Sequence, residues 1–162
     1  MQKIIVFTDI HIVPEGETII GLDPLARFMQ GMAHAIDSHP DAARVVLCGD
    51  LTHNAAPHEY ARLRAALDTC PLPVSLMLGN HDRRAPFLAA FPEAARMGSG
   101  HIQHVTDLPG YRLICLDTLN EESADTHSGW LCAARLDWLD RQLSEAGDRR
   151  VIVFTHHPPI ET

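Results

Sequence analysis

The stretch VSLMLGNHD, Val74–Asp82, joins a short apolar run to an amide, an imidazole and a carboxylate in successive positions. An apolar run of this length, bounded by a turn residue such as Gly79, is typical of a buried β-strand. Polar side chains that follow the strand directly lie at its carboxyl end. The stretch therefore predicts an α/β fold with ligand-binding groups at one edge of a buried sheet.

The same pattern recurs along the chain in the runs KIIVF, RVVLC, YRLICL and RRVIVF. Between the runs, apolar residues recur at helical spacing. They are Leu22, Leu25, Met29, Met32 and Ile36; Tyr60, Leu63 and Leu67; and Leu136, Leu139 and Leu143. Asp23 followed by Pro24 is typical of a helix N-cap and first turn. Alternating strands and helices predict an α/β domain with a largely parallel sheet, and the sequence has no internal repeat or obvious linker.

Composition limits the function classes. At 162 residues with 46% hydrophobic residues, the chain is the size of one domain. Its 13 Lys and Arg stand against 21 Asp and Glu, a formal net charge of -8. Nucleic-acid polymers and anionic membranes bind basic faces, so this charge argues against both. A small anionic substrate is compatible with it, because a bound metal ion would supply local positive charge.

The start MQKIIVFTDIH lacks the apolar core of a signal peptide, and no later stretch approaches a membrane span, which predicts a cytoplasmic protein. The cysteines lie far apart without a Cys-x-x-Cys pair, at Cys48, Cys70, Cys115 and Cys132. We expect reduced thiols, and a disulfide or zinc-ribbon arrangement is the less favoured alternative.

Metal-type side chains follow four of the predicted strands. They are Asp9 and His11 after KIIVF, Asp50 after RVVLC, Asn80 and His81 after VSLML, and His156 after RRVIVF. The carboxyl ends of strands in an α/β sheet form one ligand-binding edge, so these residues are expected to meet in one cleft. Carboxylate, amide oxygen and imidazole together suit Mn, Fe, Co or Zn.

Several nearby residues have simpler explanations. Asp82 is expected to be the N-cap of the next helix rather than a ligand, and Asp117 a turn former. His53 and Asn54 lie close to Asp50 in sequence and could border the cleft, but this is the less favoured interpretation. The remaining histidines stay unassigned, because a lone histidine is more often surface or core than ligand: His34, His39, His58, His101, His104 and His127.

Four motifs in this order, TDIH, GDLTH, GNHD and THHP, resemble the first four motifs of the calcineurin-like metallophosphoesterase superfamily. Serine/threonine phosphatases of that superfamily have Gly where Ile12 follows His11, and they read GDxVDRG and GNHE. The chain is more similar to the class III cyclic nucleotide phosphodiesterases and the bacterial glycerophosphodiesterases. The stretches GLDPLARF, HEYARL and GWLCAARLDWLDRQL also resemble that branch, so the likeness covers essentially the whole chain.

The resemblance implies a role for each site residue. Asp9 and His11 would bind a first divalent ion, Asn80 and His156 a second, and Asp50 would bridge the two. The pair of ions would hold a bridging hydroxide for in-line attack on a phosphate diester.

A further residue of the GNHD motif, His81, would not bind metal but would face the substrate phosphate and stabilise or protonate the leaving oxygen. His156 is preferred over His157, because the first His of the motif is the family's ligand. Arg83 and Arg84 could touch a substrate phosphate, but solvent-facing positions at a helix start are favoured.

One departure from the family pattern concerns the end of the chain. The superfamily supplies one further histidine to each metal from a later Gly-His-x-His element, and the sequence ends at Thr162 without one. The resemblance implies a two-sheet αββα sandwich with a mixed, largely parallel sheet. We therefore expect residues 1–162 to be the N-terminal portion of a metallophosphoesterase catalytic domain, incomplete at its C-terminus.

The expected function is a metal-dependent phosphodiesterase acting on small substrates, either cyclic nucleotides or glycerophosphodiesters. The alternative is a non-catalytic scaffold or an inactive truncated form on the same fold. A homo-oligomer is compatible with the family precedent. A Rossmann-type nucleotide binder is excluded, because no Gly-x-Gly-x-x-Gly follows KIIVF.

Overall fold

The computed structural model describes residues 2–122 and 127–160. Its elements in chain order are β1 (Ile4–Phe7), α1 (Pro24–Ser38), β2 (Arg44–Cys48), α2 (Pro57–Leu67), β3 (Val74–Met77), α3 (Arg84–Ala90), β4 (His104–Leu108), β5 (Tyr111–Cys115), α4 (Ala133–Ser144) and β6 (Arg150–Phe154). Among the helices of these residues, none is long and apolar enough to cross a membrane.

The first sheet has the order β1-β2-β3 and is parallel throughout. Alternate residues of β2 face opposite sides of the sheet. Val45 and Leu47 belong to the larger core, together with Phe28 of α1 and Leu63 of α2. As predicted, the Asp23 carboxylate caps α1, with Oδ1 accepting from the amide of Leu25 at 2.9 Å.

The second sheet has the order β4-β5-β6 and is mixed, with β4 antiparallel to β5 and β6 parallel to it. Strand β4 is not among the strands that the sequence predicts. Its sequence HVTDL has only two apolar residues, Val105 and Leu108, and resembles a loop when read alone. Pairing with the buried strand β5 forms this edge strand, and that pairing is not visible in the local sequence.

A small second core lies where the sheets face each other and contains Val46, Cys48, Met77 and Cys115. Helices α1 and α2 pack on the outer side of the first sheet. On the second sheet, the Arg112 guanidinium donates to the carbonyl oxygen of Gln142 in α4 at 3.0 Å. The four layers confirm the expected αββα sandwich.

The four cysteines are free, as predicted. Burial raises the pKa of the Cys48 thiol, and it raises the pKa of Cys115 to about 12. Neither thiol is therefore a thiolate at neutral pH.

Helix α4 differs from expectation. Its predicted apolar stripe does not form a buried face, since Leu136 and Leu143 are 47% and 44% exposed. The buried residue of α4 is Arg135, which donates to the carbonyl oxygens of Asp117 and Leu119. Helical spacing alone does not show which side of a helix is buried. In α4 the buried side is the one that carries Arg135.

Candidate metal centre

The six predicted site residues meet at one edge of the sandwich, in the loops that follow β1, β2, β3 and β6. Backbone hydrogen bonds hold the first two loops side by side. The amide of Asp9 donates to the carbonyl oxygen of Gly49 at 3.2 Å, and the amide of His11 donates to that of Asp50 at 2.9 Å. Main-chain hydrogen bonds alone therefore hold these two loops in position.

Three of the predicted ligands have left-handed backbone conformations. The φ angles are 55° at Asp9, 44° at His11 and 48° at Asp50. This region costs a residue with a side chain about 1–2 kcal/mol. Strained residues of this kind cluster at functional sites, where the surrounding structure holds them in place.

The first cluster of potential ligands contains Asp9, His11 and Asp50. Nε2 of His11 lies 3.9 Å from Oδ1 of Asp9 and 3.5 Å from Oδ2 of Asp50. Burial lowers the pKa of His11 below its usual value, although the Asp50 carboxylate acts in the opposite direction. The imidazole is therefore neutral at pH 7, which is the form that binds a metal ion.

The second cluster contains Asn80, His156 and the other oxygen of Asp50. Nδ1 of His156 lies 2.9 Å from the carbonyl oxygen of Cys48, which can only accept, so Nδ1 carries the proton. In the neutral ring Nε2 is then a lone pair, and it faces Oδ1 of Asn80 at 3.1 Å and Oδ1 of Asp50 at 3.5 Å. Three lone pairs converge there, an arrangement that a cation stabilises. Metal-binding histidines commonly have this hydrogen bond from the second ring nitrogen.

Two glycines leave the space that these side chains occupy. A Cβ at Gly79 would lie 2.3 Å from Oδ1 of Asp50 and 2.6 Å from Nε2 of His156. A Cβ at Gly49 would lie 2.5 Å from Nδ1 of His156. Any side chain at these positions would displace the groups of the second cluster.

His81 adjoins both clusters. Its amide donates to Oδ1 of Asp50 at 2.8 Å, and its Nδ1 donates to the carbonyl oxygen of His53 at 2.8 Å. Nε2 is then the ring atom available to a ligand or substrate. The ring lies 4.6 Å from that of His11 and stacks on that of His53 at 5.0 Å between centroids.

A cavity of about 310 Å³ adjoins the metal centre. Its lining residues are His53, Asn54, Ala55, Asn80, His81, Arg83 and His127. This volume lies at the lower end of small-molecule pockets. His53 and Asn54 thus border the cleft, which was the less favoured interpretation of the sequence. Their only sequence signal was their closeness to Asp50.

The model of the family described as calcineurin-like phosphoesterase matches residues 2–162. The chain belongs to this family. Curated relatives of this chain carry the names of the phosphodiesterase branch that its motifs resemble. The chain is 42% identical over 162 residues to a "probable cyclic nucleotide phosphodiesterase" of Rhodopseudomonas palustris, covering 99% of this chain and 59% of the relative. It is 35% identical over 130 residues to a glycerophosphodiester phosphodiesterase of Enterobacter lignolyticus, covering 78% and 45%.

This calcineurin-like phosphoesterase therefore spans about half of the length of these relatives. Solved structures show the same fold. A purple acid phosphatase from yellow lupin aligns with a TM-score of 0.62 at 14% identity, covering 94% of this chain and 29% of the lupin chain. A protein of Thermus thermophilus aligns with a TM-score of 0.62 at 16% identity, covering 98% and 69%.

Within this family member, Asp82 does not form the expected N-cap. Helix α3 begins at Arg84, and the side chain of its N-cap residue makes no capping bond. Asp82 is fully buried, and its carboxylate accepts hydrogen bonds from the donors Leu51 N, Thr52 N, Thr52 Oγ1, Tyr60 Oη and Gly79 N. Burial raises its pKa to about 6, although these bonds act in the opposite direction. Asp82 therefore holds the loops after β2 and β3 together.

Asp117 forms the expected turn, since its Oδ1 accepts from the amide of Leu119 at 3.0 Å, but Arg84 differs from expectation. Asp117 is fully buried, and Arg84 donates to its two oxygens at 2.7 and 2.8 Å. Burial would raise the pKa of Asp117, but the Arg84 contact holds it below its usual value. Arg84 is thus an interior partner rather than a solvent-facing residue. Arg83 donates to the carbonyl oxygens of Asn80 and Asp82 and lines the cavity.

The two histidines of the last motif, His156 and His157, face different groups in the structure. His157 is buried, and its Nδ1 lies 2.7 Å from Oγ1 of Thr118, whereas His156 faces Asp50 and Asn80. The structure thus brings His156, and not His157, to the second cluster.

Proposed function

We propose that the protein is a phosphodiesterase with a dinuclear metal centre that hydrolyses small phosphate diesters. The observation that carries the proposal is the position of Asp50. One of its oxygens faces Nε2 of His11 and the other faces Nε2 of His156. A carboxylate shared in this way between two imidazoles is suited to bridging two cations.

The residues fit two divalent ions. Asp9 and His11 would hold one, Asn80 and His156 the other, and Asp50 both. The ligand set of oxygen and imidazole suits Mn, Fe, Zn or Co, and the supply of metal in the cell decides among them. Bound divalent ions would supply Lewis-acid activation and neutralise charge on the phosphate.

His81 is proposed as the residue that protonates the leaving group. Its Nδ1–H is held by the carbonyl oxygen of His53, so a protonated ring presents Nε2–H to the cavity side. The oxygen of a water molecule forms the new bond to phosphorus while one proton of that water is released to the solvent, and the bond from phosphorus to the leaving oxygen breaks. The proton on Nε2 passes to that oxygen, which leaves as an alcohol.

The substrates proposed are cyclic nucleotides or glycerophosphodiesters. The named activities of the two curated relatives support this, and so does a cavity sized for a small molecule beside Asn80 and His81. A cytoplasmic location and a homo-oligomer stay predictions. A non-catalytic scaffold would need neither the strained ligand loops nor the free Nε2 of His81.

The test is hydrolysis of bis(p-nitrophenyl) phosphate after metal removal and again after addition of Mn²⁺. Asp50→Ala removes the bridging carboxylate, and Asp140→Ala is the matched control on the exposed side of α4. We expect turnover to return with Mn²⁺ in the wild type and the control but not in Asp50→Ala. Absence of metal-dependent turnover in wild-type protein that circular dichroism shows to be folded would contradict the proposal and favour the non-catalytic alternative.

A further inference from the structure

A second cavity, of about 350 Å³, lies away from the metal centre, beside the edge strands β3 and β4 of the two sheets. Its polar lining includes Arg44, Ser75, His104 and Thr106. None of these residues belongs to the metal centre or to the cavity beside it.

Among the described residues, the guanidinium of Arg44 has no ionic partner. Its Nη1 donates to Oγ of Ser75 at 3.1 Å, and its Nε is buried without a hydrogen-bond partner. Within the described residues, no carboxylate lies within 4.0 Å of it. The interior arginines Arg84 and Arg112 differ, since each pairs with an aspartate at 2.7–2.8 Å. Arg44 is partly buried and lines the cavity, and the described residues supply no carboxylate to pair with its charge.

His104 adds a hydrogen-bonding group without adding charge. Its Nδ1 is buried and has no hydrogen-bond partner. Burial and the neighbouring Arg44 lower its pKa to about 4, so the ring is neutral at physiological pH and lines the cavity as an uncharged polar group. The carboxylate of Glu93 also lines the cavity, but Nη1 of Arg64 lies 2.6 Å from it and neutralises its charge.

We propose that this cavity binds a small organic oxyanion, a molecule that presents a phosphate or a carboxylate to Arg44, Ser75 and His104. A guanidinium that lines a cavity without a carboxylate partner pairs well with either group through charge-assisted hydrogen bonds. The volume exceeds what a bare phosphate needs, and Leu76 and Phe91 provide an apolar wall for the rest of the molecule. This site is independent of the proposed phosphodiesterase activity.

The test is equilibrium dialysis of the protein against inorganic phosphate and, separately, against acetate, at fixed ionic strength. Because phosphate also fits the metal centre, Asp50→Ala provides the background in which only the second cavity is measured. Arg44→Met removes the cation with little change of volume, and Arg141→Met, on the exposed side of α4, is the matched control.

In the Asp50→Ala background we expect phosphate or acetate to bind at one site per chain, and the stronger of the two identifies the anionic group. Arg44→Met should weaken this binding by about tenfold or more, and Arg141→Met should leave it unchanged. Equal binding with and without Arg44, or binding of neither anion, would overturn the proposal.

Thermal unfolding provides a second readout that a purely structural arginine would not give. In chloride buffer, Arg44→Met should raise the melting temperature, because it removes an unpaired charge. Phosphate or acetate should raise the melting temperature of the Asp50→Ala protein but not that of its Arg44→Met form. If Arg44→Met instead lowers the melting temperature and the anions stabilise both forms equally, the arginine is a packing residue and the proposal fails.

Discussion

Asp50 and Asp82 are both buried carboxylates in loops that follow neighbouring parallel strands, yet their surroundings are opposite. Asp82 accepts from three backbone amides and two hydroxyls, so its hydrogen-bonding capacity is largely used within the protein. Asp50 accepts from the amide of His81, and otherwise its oxygens face the Nε2 atoms of two imidazoles. Burial therefore does not distinguish a ligand from a structural carboxylate, whereas the kind of partner does.

Asp50→Asn tests this difference most directly. The substitution keeps the shape of the side chain, and asparagine tolerates the left-handed backbone. Loss of the bridging charge should cost about 4 kcal/mol of transition-state stabilisation, or on the order of 1,000-fold in kcat/KM. Metal content, measured by plasma emission spectrometry, should fall with it. Unchanged metal content and activity would show that Asp50 is only a structural residue like Asp82.

His81→Ala separates a contact made by the backbone from the chemistry of the side chain. The amide that donates to Asp50 remains in this variant, so metal content should stay at the wild-type level. Turnover should fall by on the order of 100-fold, the usual effect of removing a general acid. Loss of the metals together with the activity would instead make His81 a ligand.

Asp82→Asn tests the other half of the comparison through stability. An amide cannot accept on both sides, so several buried donors would lose their acceptor, at a cost of about 2–3 kcal/mol in the free energy of unfolding. Urea denaturation measures this. A change below about 0.5 kcal/mol, the range of ordinary surface substitutions, would mean that the hydrogen bonds to Asp82 do not hold the loops together.

Gly79→Ala should have the smallest effect of the four and changes a residue that lies against Asp50 and donates its amide to Asp82. The new Cβ would meet Asp50 and His156 at less than 3 Å, so we expect a metal affinity about tenfold weaker. Gly98→Ala is the control, because a Cβ there meets nothing within 4 Å. Metal titration that gives equal affinities for both variants would contradict the close approach of these groups.

The sequence predicts the parts of the molecule that local patterns determine. The runs before Asp9, Asp50, Asn80 and His156 are strongly apolar, so their strands and the common edge at their ends could be predicted. Strand β4 could not, because its residues are half polar and only the pairing with β5 makes them a strand.

The role of individual polar residues was less predictable than that of the strands. Asp82 has the local sequence of a helix cap, but its donors come from positions as far as 31 residues away. Arg84 pairs with Asp117, 33 residues later in the chain. His53 enters the site through stacking on His81, 28 residues later. Contacts at such separations depend on how the loops pack, which periodicity and capping patterns do not describe.

The two ligand clusters also differ in when they can form during synthesis. Asp9, His11 and Asp50 lie on the loops of two adjacent strands near the start of the chain, and main-chain hydrogen bonds already join those loops. The second cluster needs His156, which follows its backbone partner Cys48 by 108 residues. His156 lies in the loop after β6, a strand of the other sheet. At about 5–20 residues per second, a ribosome would add this ligand several seconds after the first three. If the proposed centre binds two ions, the order of the residues would allow the first ion to bind the nascent chain before the second.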